Sequence, residues 1–157
     1  MQEKTSIACY KLIDKILTQA RWNTIHGIGL GSDKIFMVGL DNYHDIGETV
    51  VHTFEDCKLG IPHPTQEEFR ELAKDAKNSQ LFKLAKVKSW KAFGQNSVDI
   101  SVYFTGQHFD ITPTRNEKPG KWSFYLPEKT ILIPKDAPLA ELGKAVLDAF
   151  ELCEKLY

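Results

Sequence analysis

His108 and Asp110 stand two residues apart in "HFDIT", and Asp99 and Tyr103 share one parity in "SVDISVYF". A carboxylate beside a histidine can hold a metal or move a proton. The same alternation is what an antiparallel sheet displays on its wet face, and that is the expected use of these four residues. Asp41, His44 and Asp45 cluster in "DNYHDIG". Metal ligation needs three or more converging groups, and the spacing offers none beyond this cluster; Asp45 already has a helix to cap. Cys57 lies beside Asp56 and near His52 and His63. A nucleophilic thiol needs an electropositive setting, whereas Glu55 and Asp56 would raise its pKa. Cys57 is therefore expected at the core or its boundary.

Two longer stretches invite a ligand. "IHGIGLGSDKIF" (Ile25–Phe36) holds Gly27, Gly29 and Gly31. A dinucleotide fingerprint requires a third glycine where Ser32 stands, and a helix after it. The following "KIFMVGL" has the composition of a strand, so no helix N-terminus would face an anion. The glycines are expected to serve a turn or the close approach of another backbone. "LFKLAKVKSWKAF" (Leu81–Phe93) interleaves Lys83, Lys86, Lys88 and Lys91 with Phe82, Trp90 and Phe93. Aromatic and basic side chains together can bind single strands of nucleic acid; lysines along an edge strand protect it against wrong pairing, and the edge is the expected use.

The chain has 157 residues, a formal net charge of −1 and 42% hydrophobic residues. That suits one domain with a continuous core and offers no basic field for nucleic acid. No apolar run approaches the roughly 20 residues of a membrane span. "MQEKTSIACYK" shows no signal-peptide pattern. Cys9, Cys57 and Cys153 are odd in number and form no CxxC, as expected of reduced thiols in a cytoplasmic protein. No cofactor, metal or catalytic residue is assigned.

The elements follow from periodicity. Ile7, Tyr10, Ile13, Ile16, Leu17 and Ala20 have helical spacing, predicting a helix over Ser6–Arg21. Lys34–Leu40 reads as a buried strand. Asp45 with Glu48 predicts a capped helix whose face is Ile46, Val50, Phe54 and Cys57, ended by Gly60. Thr65 with Glu68 predicts a second, with Phe69, Leu72, Ala73 and Ala76 on one face. Strands are predicted over Ser97–Phe104, His108–Thr112, Lys121–Leu126 and Thr130–Ile133, with Pro113–Gly120 a polar loop. Asp136 is expected to cap a closing helix carrying Leu139, Leu142, Val146, Ala149, Phe150 and Cys153. The class is α+β: an antiparallel β-meander sheet with several helices packed on one face, in a single domain.

"ITPT", the glycine-containing loop after it, "LPEKTILIP" and "ELGKAVLDAFELC" resemble the immunity proteins of contact-dependent growth inhibition, the CdiI family. The resemblance covers roughly Leu81–Cys153. It implies a cytoplasmic protein without catalysis of its own, which binds the C-terminal toxin domain of a CdiA-type exoprotein. Such toxins are often nucleases. It also implies strand addition to an exposed sheet edge as one mode of contact. In such a role aromatic side chains anchor and charges select. The candidates are Trp22, Tyr43, Trp90, Tyr103 and Trp122, with Lys88 and His108 as polar contacts. The alternatives are a nucleic-acid-binding module using Lys83–Lys91 and a small hydrolase using His108 and Asp110.

Overall fold

The computed structural model describes residues 1–75 and 79–157. Its N-terminal segment is a hairpin, not the predicted helix: β1 (Thr5–Lys11) and β2 (Ile16–Thr24) pair antiparallel, with Cys9 opposite Thr18. The reason is burial on both faces. Ile7, Cys9, Ile16 and Ala20 point one way, while Ala8 and Leu17 are buried on the other. Apolar residues then occupy both parities and satisfy a 3.6 period by accident. The turn at Leu12–Lys15 is closed by a hydrogen bond from Leu12 N to Lys15 O, without Gly or Pro to announce it.

β3 (Gly29–Val38) continues the sheet outward from β2 and is longer than predicted. Gly27, with φ of +79°, makes the turn before it. Gln19 faces Ile35 and Arg21 faces Gly31, so Ser32, Asp33 and Lys34 bulge opposite Ala20 alone. α1 (Tyr43–Phe54) follows. Asn42, not Asp45, is its cap, accepting from Asp45 N; the helix ends at Phe54, and Cys57 and Gly60 lie beyond it. β4 (Lys58–Ile61) pairs parallel with β2. α2 (Gln66–Lys74) has the capping box predicted at Thr65 and Glu68 but buries nothing; its Leu72 is exposed, and Ala76 lies outside the described residues.

The lysine-rich stretch forms two short helices rather than an edge strand. α3 (Gln80–Ala85) and α4 (Trp90–Asn96) are capped by Ser79 and Ser89, which accept from Phe82 N and Ala92 N. β5 (Val98–Phe104) pairs with β1 and with β6 (His108–Asn116). β6 runs through Pro113, where a loop was predicted. Its first half pairs with β8 (Ile131–Pro134) and its second with β7 (Ser123–Tyr125) and the short β9 (Glu154–Lys155). α5 (Leu139–Glu151) starts at Pro138 without a side-chain cap, so Asp136 does not serve there.

The order is β3-β2-β1-β5-β6-β7. α1 and α5 cover one face, as the predicted class requires. Ile46, Val50, Phe54, Leu142, Val146 and Phe150 meet Ile7, Ile100, Val102, Phe109 and Ile111 there. The helices cross closely: a Cβ on Gly143 would strike the Tyr43 carbonyl, and one on Gly47 the Leu139 carbonyl. α3 and α4 sit on the opposite face over a smaller core of Leu12, Leu17, Leu81, Phe82 and Phe93. Helices thus lie on both faces.

Candidate functional site

Among the described residues the second face is only partly covered, and what they leave open is a groove. Its floor follows from strand register: Ala8 lies between Gln19 and Ser101, and Tyr10 between Leu17 and Asp99. Two adjoining depressions of about 640 and 680 Å³ share Tyr10, Arg21, Trp90 and Trp122. The β3 segment Gly29–Asp33 forms one rim. At the α4 wall, Trp90 packs edge-on against Phe82, with centroids 4.8 Å apart, and Phe93 packs edge-on against Tyr10 at 5.0 Å. Trp122 is 86% exposed and Tyr125 57%.

Arg21 stands at the centre. Its Nη1 donates to Ser6 Oγ at 2.9 Å and Ser101 Oγ at 3.0 Å, and its Nη2 makes a long contact of 3.5 Å to Tyr125 Oη. Asp99 shares the floor, accepting from Ser123 Oγ at 2.9 Å and Thr114 Oγ1 at 3.3 Å. Burial raises its pKa, against the lowering effect of those hydrogen bonds and of the Arg21 charge. The thiols are muted likewise. Burial pushes Cys9 up to about 12, and raises Cys57 and Cys153. Cys57 donates to Ser6 O at 3.4 Å. Thiols so held are poor nucleophiles.

Residues 6–153 match the family model described as CDI immunity protein, CdiI. The chain belongs to the CDI immunity protein family. No curated protein matches it in sequence. Two solved structures are similar in fold. A protein of unknown function from Neisseria meningitidis has a TM-score of 0.82 at 14% identity, over 98% of this chain and 99% of that one. A chain of the CdiA-CT/CdiI toxin and immunity complex from Yersinia pseudotuberculosis has a TM-score of 0.78 at 13% identity, over 98% and 99%. At such identities the likeness is one of fold.

In this member of the CDI immunity family, the groove brings together two of the expected partner contacts, Trp90 and Trp122. The others lie elsewhere. Trp22 is engaged internally: its Nε1 donates to Asp56 O at 2.7 Å, and Lys58 Nζ sits 4.0 Å from the ring centroid. Tyr43 begins α1 and is 47% exposed. Lys88 is exposed between α3 and α4. Lys83, Lys86 and Lys91 belong to α3, its cap and α4, so the strip is no straight basic track. Tyr103 faces Asp110 across β5 and β6, and His108 Nδ1 lies 2.7 Å from Asp110 Oδ1. Asp99 lies four residues from Tyr103 along β5, and opposite a β6 position four from Asp110, roughly 13 Å away. The four polar candidates are therefore divided. His44 Nδ1 is 3.6 Å from Asp45 and 3.7 Å from Glu48, all exposed in the first turns of α1; carboxylates there favour the helix macrodipole, and Asp41 is not in the group. The central residue, Arg21, was hidden as the last position of an expected helix. No helix among the described residues is long and apolar enough to cross a membrane.

Proposed function

We propose that this protein is a cytoplasmic immunity protein that binds and neutralises the C-terminal toxin domain of a CdiA-type exoprotein stoichiometrically, without catalysis of its own. The family match over residues 6–153 carries the reading. The groove supports it: exposed aromatics around a polar centre are how an interface anchors. β3 adds a second element. It is an end strand of the sheet and a rim of the groove. A partner segment laid along it meets unpaired backbone groups and the groove's side chains together, so strand addition at β3 is the docking mode we favour. A nuclease is the toxin activity proposed.

Co-expression with the toxin domain encoded beside this gene tests the function. Growth is rescued and a one-to-one complex is recovered. Continued arrest with no complex defeats the reading.

A further inference from the structure

Arg21 has no direct ion-pair partner among the described residues, although its charge reaches Asp99 on the same floor. Arg115, by contrast, is paired with Glu117 and Glu154. Its hydrogen bonds within the protein are to hydroxyls, chiefly through Nη1. Nε has no protein partner among the described residues, and Nη2 has only the long contact to Tyr125. The Nε/Nη2 edge is thus left as an open fork, the geometry that takes a carboxylate in two parallel hydrogen bonds. Asp99 is tied to Ser123 and Thr114 instead. Trp90 and Trp122 line the same depressions as Arg21, and a partner packed against them would exclude water from an ion pair formed at Arg21, which strengthens it.

Resting on the function proposed above, we propose that Arg21 receives an Asp or Glu side chain of the toxin domain, carried on a segment that fills the groove and sets an apolar neighbour against Trp90 and Trp122. One carboxylate answers one guanidinium. A nucleic acid would bring a run of phosphates to a floor that also carries Asp99, in a protein of net charge −1.

The test is a double-mutant cycle with the intact protein and an inactivated toxin domain. Arg21→Met is expected to weaken binding roughly 30-fold or more. Arg21→Lys keeps the charge without the fork and is expected to lose roughly tenfold. One acidic-to-alanine change in the toxin should cost nothing further in the Arg21→Met background. Wild-type affinity in Arg21→Met, or losses that add for every acidic position, overturns the assignment while leaving the function standing. If Arg21→Met does not fold, an undiminished Arg21→Lys overturns it equally. Failure of the wild type to bind the toxin removes both readings. Oligonucleotide binding that depends on Arg21, without toxin binding, also overturns it.

Discussion

Asp99 is a carboxylate whose folded pKa is raised from 3.8, chiefly by burial. A raised folded pKa means that the fold prefers the protonated form. Its contribution to stability is present below the unfolded value and is lost as pH rises through the folded one. Asp99→Asn keeps an oxygen to accept from Ser123 and Thr114 and has no charge to bury. It should melt above the wild type at neutral pH, with the difference vanishing near and below about pH 4. Melting curves across that range check the sign; a wild type that is equally or more stable at neutral pH refutes it. Residue scale is also where the site was half legible. Trp90 and Trp122 are aromatics in polar surroundings, and that alone marks them. Arg21 becomes visible only when register sets it between Ser6 and the rim of β3. Trp22 carried the same aromatic signal but is occupied by Asp56 and Lys58.

Among the elements, α1 and α5 depend on an unusually close crossing. At Gly143 a methyl group has nowhere to go, because the obstacle is backbone rather than a movable side chain. Gly143→Ala should therefore cost a net 1–2 kcal/mol or so, since alanine's better helix propensity offsets only part of the overpacking. Urea unfolding measures it, and an unchanged midpoint would mean that the helices separate freely. Legibility at this scale tracked one condition. β5 and the start of β6 bury one parity and expose or half-bury the other, and alternation found them. β1 and β2 are packed on both sides, and the pattern misled. For "LFKLAKVKSWKAF" the decisive signals were Ser89 within it and Ser79 just before it, each capping a helix too short for periodicity to register. Capping chemistry located α2 correctly at Thr65 and misplaced α1 by three residues, because Asn42 competes with Asp45 for the same role.

For the whole molecule, the near-neutral charge makes contact area, rather than a long-range field, the main basis of partner binding. With Trp22 and Trp90 changed to Phe, Trp122 alone reports on the groove. Its emission should be that of a water-exposed indole and shift to the blue when the toxin domain is added. An unshifted spectrum in a formed complex would place the partner elsewhere. The sheet also keeps two accounts along the same strands. Ile7, Cys9, Ala20, Ile100 and Val102 hold the α1 and α5 layer, while their immediate neighbours Ala8, Gln19, Arg21 and Ser101 face the open groove. On the docking proposed above, a toxin that drifts in sequence would be followed by substitutions at every second position, with the intervening residues untouched. Strand periodicity gives the lineage a way to change its adversary without reopening the question of how to fold.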